Sequence, residues 1–526
     1  MKLFLLLVSY FVSVTNAAQS TNTTTTITTS LTSCLVSANV HNFSTATSSS
    51  YNHLLNFSIR NLRFVDPAVA RPVAVVLPGT KHQLRSAVVC CINLLLSIRL
   101  RSGGHSYEGL SYTADGTNPF VVVDLMNLNR VRVNLADSTA WVESGTTLGE
   151  VYYAVADESG GSLAFPAGSC STVGSGGHIA GGGFGFLSRK YGLAADNVLD
   201  AVLIDSAGRV LDRSTMGEDV FWAIRGGGGG SWGAIYAWKL RLVPVPDRVT
   251  TCQLSRSMPS RPVAELVHKW QHVSPALPDE LYISVAISAT VNVTNSRFDV
   301  QFLGPISRAV PILARRFPEL GLNESDCAEM SWVESAVRFA GLESKSDLTD
   351  RTTPSGKIYF KSKSDYVRVP VPLAGLVGAF NWLAKEPKSY IILDPYGGTM
   401  DRIPSHDVPF PHRRGNLYGI QYSVAWTKEE EEDGVGYEHI AWLREFYEYM
   451  ARYVSKEPTR AAYVNYVDLD LGVVDWSGPD RDRAGAARVW GEKYFLGNYD
   501  RLVRAKTAID PGNVFRHQQS IPPLAS

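Results

Sequence analysis

Hydrophobic spacing divides the chain into two stretches that differ in the length and pattern of their apolar segments. From about residue 60 to 245, short β-branched or alternating runs are separated by glycine- and proline-rich turns, which is typical of strands. Beyond Pro246 the segments are longer. Alternation predicts strands over 417–426 and 463–471, and helical spacing predicts a helix over 490–506. Helices and short strands intermingle without a regular strand–helix–strand repeat, so the pattern favours an α+β fold over a parallel sheet.

The N-terminus has the features of a secretory signal peptide over residues 1–18. Lys2 precedes the apolar run 3–14, and small residues follow at 15–18. That run is too short to span a bilayer, and no later segment has eighteen unbroken apolar residues, so no membrane partner is expected. We therefore expect a secreted protein of the cell wall or apoplast, with the vacuole as an alternative destination.

The segment 19–59 follows the signal peptide and begins with a polar stretch. Residues 19–33 are nearly all Ser, Thr, Asn and Gln, which predicts a flexible tail, with ordered structure starting near Cys34. A secreted chain can carry glycans at Asn-x-Ser/Thr sequences on exposed loops. The five candidate glycosylation sites are Asn22, Asn42, Asn56, Asn292 and Asn323.

Charge and composition limit the classes of partner. The chain has 50 Lys+Arg and 50 Asp+Glu, so its formal net charge is zero, which argues against a nucleic-acid partner because phosphate binding needs a basic surplus. Hydrophobic residues make up 45% of the chain, enough to bury a large core. An acidic run over 428–433 is interpreted as a solvated loop or the start of a helix. The oligomeric state stays open.

Three glycine clusters, at 101–107, 174–185 and 226–233, stand out as candidates for chemistry. Clustered glycines let backbone N–H groups approach an anion closely. Residues 228–233 match the G-x-G-x-x-G pattern of dinucleotide-binding folds, but they precede a predicted strand where that motif requires a helix. A tight connection into a buried strand is therefore favoured for the third cluster over a nicotinamide site.

Other catalytic patterns are weak. His268 and His272 are four residues apart on a predicted helix, but no third ligand is placed nearby, so a solvated helix face is favoured and no metal is expected. We find no convincing G-x-S-x-G elbow for a serine hydrolase. Six cysteines allow fifteen pairings, and their spacing cannot choose among them. Cys170 precedes the second glycine cluster, and its plain interpretation is a buried free thiol.

Several motifs occur together in the order of a known family. They are the segments 101–109, 168–174, 189–198, 218–228, 463–470 and 519–523. In these segments the chain resembles the plant berberine bridge enzyme-like flavoproteins, which are of the vanillyl-alcohol oxidase and p-cresol methylhydroxylase type. The resemblance covers roughly residues 34–523.

That resemblance implies a two-lobed FAD-binding fold. The FAD-binding domain would span 60–245, an antiparallel-sheet substrate lobe would span 246–471, and the C-terminal segment 472–526 would return to the FAD domain. It also implies a disulfide between Cys34 and Cys90. Three further cysteines would then be left over as free buried thiols, namely Cys91, Cys252 and Cys327.

The family cofactor is FAD held by two covalent bonds, so the resemblance implies attachment of His105 to the 8α-methyl group and of Cys170 to C6. Imidazole and thiolate are side chains able to add to an electron-poor flavin. The turn Ser102-Gly103-Gly104 would hold the pyrophosphate through backbone N–H groups, without a lysine. Two neighbours complete this set of cofactor-binding residues, Ser106 and Gly174.

His178 matches the family histidine near the flavin N1 and C2 carbonyl. Reduced flavin is anionic at that edge, so a hydrogen-bond donor there would stabilise the product of hydride transfer. The alternative is a core histidine whose ring is satisfied by the backbone.

The resemblance also implies an active-site face, formed by Tyr107, Gln421, Tyr463 and Tyr466. Tyr466 matches a tyrosine that can accept the substrate hydroxyl proton, which requires a pKa lowered from about 10 by cationic or donor neighbours. Some relatives carry a lysine for this purpose at the position of Gly419, so that lysine is absent here. Phe184 also departs from the tyrosine of many relatives. Ordinary strand packing is the alternative for Tyr463 and Tyr466.

Val173, three residues after the linking cysteine, would lie beside the flavin C4a. A small side chain there leaves room for dioxygen, so we expect a secreted FAD-dependent oxidase that produces H2O2. Its small-molecule substrate would be an alcohol or hemiacetal, such as a carbohydrate, a cinnamyl-type alcohol or a specialised metabolite. The alternative is a flavin-carrying wall or defence protein with little catalytic turnover.

Overall fold

Three main β-sheets and the helices packed on them form the computed structural model of this chain, which describes residues 25–115, 118–352, 356–476 and 482–525. The predicted signal peptide and Asn22 lie outside the described residues. Helices and mostly antiparallel strands are mixed along the chain, which confirms the predicted α+β class. Among the described residues, no helix is long and apolar enough to cross a bilayer.

The first described element is a helix, α1, over residues 25–37. The prediction of a flexible tail up to Cys34 is therefore wrong from residue 25 onward. Ile27, Leu31 and Leu35 recur every fourth residue, so they share one helix face, and Leu31 and Leu35 are buried in the core of the first sheet. Three apolar residues in a threonine-rich stretch are a sparse pattern, and tertiary packing rather than composition orders this helix.

The first sheet has the strand order β1-β2-β4-β3, with β2 and β3 parallel to β4. Its elements are β1 (Phe43–Thr45), α2 (Tyr51–Phe57), β2 (Ala74–Val76), α3 (Lys81–Asn93), β3 (Ser97–Arg101) and β4 (Phe120–Asp124). The β4 strand is buried throughout, as expected for a strand paired on both sides. The first glycine cluster begins where β3 ends.

The second sheet is antiparallel, with the order β5-β6-β10-β8-β9, and a separate pair joins β7 to β11. Its strands and that pair are β5 (Val131–Asn134), β6 (Thr139–Glu143), β7 (Leu163–Ala164), β8 (Val198–Ile204), β9 (Val210–Leu211), β10 (Ala234–Arg241) and β11 (Val243–Pro244). The helices of this region are α4 (Leu148–Glu158), α5 (Ser175–Ala180), α6 (Ser188–Tyr191), α7 (Arg213–Met216) and α8 (Glu218–Ile224). The second glycine cluster forms α5 and the loop after it.

The third sheet has seven antiparallel strands in the order β15-β12-β14-β13-β17-β18-β16. The strands are β12 (Val249–Met258), β13 (Leu281–Ala289), β14 (Thr294–Phe302), β15 (Cys327–Met330), β16 (Tyr359–Val367), β17 (Ser389–Pro395) and β18 (Tyr418–Trp426). The helices are α9 (Ser260–Val273), α10 (Ile306–Arg316), α11 (Trp332–Phe339), α12 (Leu373–Leu383), α13 (Thr399–Arg402), α14 (Lys428–Glu432) and α15 (Gly436–Met450). The helices α9, α12 and α15 bury apolar residues in one core with this sheet. The side chains on its other face are free to line a cavity.

Two predicted elements near the C-terminus are wrong. The segment predicted as one helix over 490–506 is two helices, α16 (Arg483–Phe495) and α17 (Tyr499–Ile509), separated at Leu496, whose φ is +45°. The alternating segment 463–471 is not a strand but contains two short 3₁₀ turns. Its groups bond to other segments individually, for example the Tyr463 N–H to Ser364 Oγ at 2.9 Å, so no strand ladder forms.

Two disulfides cross-link the described chain. Cys34 and Cys90 join α1 to α3, which confirms the expected pair. Cys252 and Cys327, expected as free thiols, form a second disulfide, because they lie directly opposite each other on β12 and β15 with their Cα atoms 4.1 Å apart. Cys91 is a buried free thiol as expected. Cys170 is a free but exposed thiol, so its plain interpretation as a buried one is wrong.

Candidate active site

A cavity of about 550 Å³ lies where the first two sheets meet the seven-stranded sheet. All three glycine clusters line it, together with the C-terminal residues His517 and Gln519. Its other wall is the open face of the seven-stranded sheet. The volume falls within the usual range of small-molecule sites.

The glycine-rich end of the cavity depends on close backbone packing. A Cβ on Gly103 would overlap the backbone nitrogen of Gly174, and a Cβ on Gly174 would overlap the Ser102 hydroxyl. Gly104 has φ +72°, and a Cβ there would overlap the carbonyl oxygen of Ser58. Only glycines allow the two segments to meet in this way.

The hydroxyls of this region are mostly engaged within the protein. Ser102 donates to the Ser144 carbonyl at 2.6 Å, and Ser106 Oγ accepts from the Leu110 N–H at 3.0 Å. Backbone N–H groups, together with hydroxyls that do not already donate, are therefore the donors left for a phosphate. Two hydroxyls on the cavity wall, those of Ser111 and Ser144, are buried and have no hydrogen-bond partner among the described residues. This donor set fits the phosphate- and hydroxyl-bearing FAD.

His105 and Cys170 converge on one threonine. Thr172 Oγ1 lies 2.9 Å from His105 Nε2 and 3.7 Å from Cys170 Sγ. Burial, followed by the nearby positive charge of Arg60, lowers the pKa of His105 to about 3, so its imidazole is neutral and keeps a lone pair for bond formation. The two side chains named for flavin attachment therefore lie side by side on the cavity wall, as attachment at two nearby positions requires.

His178 lies on the same wall, in α5. Its Nε2 accepts a hydrogen bond of 3.0 Å from the Gly168 N–H, and burial lowers its pKa to about 4. A neutral ring that accepts at Nε2 carries its proton on Nδ1. The backbone thus satisfies one nitrogen and fixes the tautomer, which leaves the other nitrogen as a donor.

The third glycine cluster is a tight connection before β10, as predicted. Gly226 and Gly228 both have positive φ and both donate to the Ala180 carbonyl at 2.9 Å. Residues 227–231 also line the cavity, a role that the sequence interpretation missed. The signal was present as a glycine pattern, but its strand context pointed away from a cofactor.

Tyr107 and Tyr466 stack face to face on the substrate side of the cavity. Their ring centroids are 5.3 Å apart with 5° between the planes. Gln421 Nε2, from β18, donates to the Tyr107 hydroxyl at 2.8 Å, and Phe360 of β16 packs edge-on against Tyr107. Tyr463 packs edge-on against Tyr466, with 5.0 Å between ring centroids. All four predicted face residues thus form one chain of contacts, although they come from distant parts of the sequence.

Tyr463 differs from the other three because its hydroxyl contacts the loop of the second glycine cluster. Its side chain is buried, and its hydroxyl oxygen accepts from the Gly183 N–H at 2.9 Å and from Asn465 Nδ2 at 2.8 Å. It also packs against Phe184, with 5.3 Å between ring centroids. Tyr463 therefore holds the 463–471 segment against the second glycine cluster.

The surroundings of Tyr466 oppose its ionisation. Burial raises its pKa well above 10, and the neighbouring Tyr107 and Asp394 raise it further. Gly419, the position at which the resemblance implies a lysine in some relatives, lies between Tyr366 and Tyr396 and supplies no cation. Tyr466 is therefore a neutral phenol that can donate a hydrogen bond.

The sheet face of the cavity holds polar residues that the sequence interpretation did not name. They are Gln253, Tyr282, Asp299 and Asp394. Asp299 is engaged at both oxygens, by Gln253 Nε2 and Arg297 Nε at 3.0 Å each. The sequence feature that could have identified Asp394 is an acidic residue directly after the apolar run 391–393.

Val173 lines the cavity between Cys170 and the second glycine cluster. It is half-buried and packs against the core of the second sheet, and its carbonyl accepts from the Leu148 N–H at 2.8 Å. Its side chain thus belongs both to the cavity wall and to that core.

The remaining candidate sites lie away from the cavity. Asn42, Asn292 and Asn323 are exposed, whereas Asn56 is half-buried with its Oδ1 enclosed. The His268 and His272 rings are 5.2 Å apart on α9, and no group of three potential metal ligands occurs among the described residues.

Two family models match the segments that build the cavity. One, described as "FAD binding domain", matches residues 72–214, and the other, "Berberine and berberine like", matches residues 462–522. The first contains the glycine segments with His105 and Cys170, and the second contains Tyr463 and Tyr466. The fold and the site therefore define an FAD-linked oxidoreductase of the two-lobed vanillyl-alcohol oxidase type.

Similar proteins place the chain within that class. Berberine bridge enzyme-like D-1 of Nicotiana tabacum is 50% identical over 99% of this chain and 96% of its own length. Reticuline oxidase of Papaver somniferum is 50% identical over 94% of this chain and 92% of its own length. The solved structure of berberine bridge enzyme from Eschscholzia californica matches with a TM-score of 0.92 at 48% identity, covering 94% of this chain and 99% of that one. The chain belongs to the berberine bridge enzyme-like family.

Proposed function

We propose that this protein is a secreted oxidase that converts an alcohol or hemiacetal into a carbonyl compound and reduces O2 to H2O2. The observation that carries the proposal is the single cavity that joins the glycine cradle, the His105–Cys170 pair and the tyrosine face. A cofactor fixed at the first two positions would present its ring to a substrate held by the third. The substrate classes are a carbohydrate, a cinnamyl-type alcohol or a specialised metabolite.

The cofactor-holding residues act from three sides. His105 would bond to the 8α-methyl and Cys170 to C6, which their common contact with Thr172 supports. Backbone N–H groups of 102–104 and 174 would hold the pyrophosphate. The Nδ1–H of His178 would donate to the N1/C2 carbonyl edge. Bound FAD would supply a two-electron acceptor for hydride and a route for those electrons to O2.

The substrate-side residues bind and orient. The neutral phenols of Tyr107 and Tyr466 would donate hydrogen bonds to the substrate oxygen, and Gln421 holds the Tyr107 ring in place. Tyr463 positions the loop that carries Tyr466. The valine at position 173 would leave room for O2 beside the flavin.

The arrangement of the sheets supports a division of the chain into a cofactor domain and a substrate lobe. An FAD domain over 60–245 with the C-terminal segment 472–526 would hold the cofactor, and the segment 246–471 would form the roof over it. Entry into the secretory pathway through residues 1–18 would agree with the two disulfides, which form in oxidising compartments. The exposed Asn42, Asn292 and Asn323 are the favoured glycan acceptors.

The test is an anaerobic screen of the purified yellow protein with D-glucose, coniferyl alcohol and reticuline. Bleaching by D-glucose or coniferyl alcohol, followed by recovery of colour in air and release of peroxide, would support the proposal. Bleaching by reticuline alone, which has no alcohol carbon, would contradict oxidation of an alcohol. Bleaching without recovery in air would indicate a dehydrogenase. A protein bleached by none of the three would favour the alternative of a wall or defence protein with little turnover.

A further inference from the structure

Asp394 lies opposite Gly419, the position at which some relatives carry a lysine. In the pairing of β17 with β18, Asp394 is directly opposite Gly419. Opposite residues of an antiparallel pair project their side chains to the same face, so Asp394 and any side chain at 419 would lie on the same face of the sheet. The next pair on this face, Ile392 and Gln421, also lines the cavity. Asp394 therefore places a carboxylate directly opposite the position at which some relatives carry a lysine.

This carboxylate has little engagement with the protein. Asp394 Oδ1 accepts from the Tyr282 hydroxyl at 2.8 Å, and among the described residues no other hydrogen bond and no ion pair involves the Asp394 side chain. Asp299, on the same sheet face, is by contrast bonded at both oxygens. Asp394 therefore keeps one oxygen available to a ligand in the cavity.

The groups facing Asp394 favour proton uptake. They are Tyr282 from β13, Asp299 from β14, Tyr396 beyond the end of its own strand, and Tyr466 from the 463–471 segment. None of the four is a cation, and Arg297 of β14, which also lines the cavity, is paired with Asp299 at 3.0 Å rather than with Asp394. Burial, followed by the negative charge of Asp299, raises the pKa of Asp394 to about 6, although the Tyr282 hydrogen bond opposes the shift. A base with this pKa is ionised at neutral pH and is stronger than an ordinary carboxylate.

We propose that Asp394 is the general base of the proposed oxidation. Its free oxygen accepts the proton of the substrate hydroxyl while the carbon-bound hydrogen leaves as hydride. The O–H and C–H bonds break, the C=O bond forms, and two electrons pass to the flavin and then to O2. Tyr466, held neutral, donates a hydrogen bond to the reacting oxygen rather than taking its proton. This inference rests on the proposed function and names the base for it.

The test measures the rate of anaerobic flavin bleaching from pH 4 to 9, with whichever of the two alcohol-bearing probes, D-glucose or coniferyl alcohol, reacts. In the wild type the rate should rise through about pH 6, because only ionised Asp394 can take the proton. Asp394→Asn should slow bleaching by at least about 100-fold and lose this dependence. Asp394→Glu should be slower than wild type but keep a rise with pH.

Two further variants separate proton transfer from a structural role. Asp299→Asn is the matched control, and it should keep the pH-dependent rise but move it to lower pH, because a neighbouring negative charge is removed. The double variant Asp394→Asn/Gly419→Glu should recover much of the lost rate. A Cβ at position 419 would lie 3.6 Å from Tyr366 and Tyr396, an ordinary contact, so the backbone there accepts a side chain.

The proposal is overturned if Asp394→Asn keeps both its rate and its rise near pH 6. If neither D-glucose nor coniferyl alcohol bleaches the flavin, the proposed function fails for these probes, and Asp394 is then judged by infrared titration of the resting holoenzyme. A protonated-carboxyl band should disappear as pH rises through about 6 in the wild type and be missing in Asp394→Asn. A wild type without such a transition would also overturn the proposal, whether or not a substrate is found.

Discussion

Gln421 donates a hydrogen bond of 2.8 Å to the hydroxyl of Tyr107, across a separation of 314 residues. The bond joins β18 of the seven-stranded sheet to the last residue of the first glycine cluster. Because the Tyr107 oxygen accepts from the amide, its own O–H is available to a substrate. One hydrogen bond thus fixes the direction of a donor at the reacting centre.

Loss of this bond should slow substrate oxidation more than substrate binding. We expect Gln421→Leu to reduce the bleaching rate by about tenfold, the worth of one neutral hydrogen bond. Tyr107→Phe should cause a larger loss, because it also removes the O–H that would donate to the substrate. The double variant should be little slower than Tyr107→Phe, because the amide then has no hydroxyl left to orient. Stopped-flow bleaching measures all three. Additive losses would mean that the two side chains act independently.

The flavin should survive denaturation of the wild type. His105 and Cys170 both contact Thr172, so two bonds can form on the same benzenoid ring of the flavin. After denaturation in SDS, we expect the flavin to stay with the wild type, His105→Ala and Cys170→Ala, and to leave the double variant. Gel fluorescence of the denatured bands measures retention. Free FAD from the denatured wild type would exclude the two-bond attachment.

Oxygen reactivity should depend on the side chain at Val173. Leucine adds one methylene group to a close-packed cavity wall, where such a volume is felt. We expect the photoreduced wild type to reoxidise within seconds in air-saturated buffer. Val173→Leu should slow this by orders of magnitude while barely changing the rate of bleaching by substrate. Val173→Ala is the control and should reoxidise at least as fast as the wild type. Equal reoxidation of the valine and leucine proteins would contradict the proposed role.

The disulfide between Cys252 and Cys327 should stabilise the edge of the seven-stranded sheet. It closes a loop of 75 residues, and a chain-entropy treatment assigns such a loop about 4 kcal/mol. We expect Cys252→Ala/Cys327→Ala to unfold at a clearly lower temperature than Cys91→Ala, which removes a buried thiol without a cross-link. Thermal unfolding followed by flavin fluorescence measures the difference. Peptide mapping without reduction should find the two cysteines joined, and unfolding at the same temperature as the control would contradict the prediction.

Secondary structure could be predicted where the hydrophobic pattern was strong and local. The alternating segment 417–426 forms a strand. One face of this strand lines the cavity, and the other packs against the helices in the apolar core. The segment 463–471 alternates equally well but forms turns, because its groups bond one by one to Ser364, Gly183 and other partners. Alternation records which side chains are buried, and it does not tell whether a neighbouring strand is present to pair with.

By itself the sequence determined the cofactor side of this protein. Gly103 and Gly174 are required by close contacts between two short segments, and His105 and Cys170 lie in or beside those segments, so linear motifs identify them. The motifs also named four residues of the substrate side, but only the tertiary structure added the residues that face them across strands. Asp394 faces Gly419, and Cys252 faces Cys327, because of strand register. Register is set by the packing of whole sheet faces, and a shift of one residue would turn each of these side chains to the opposite face.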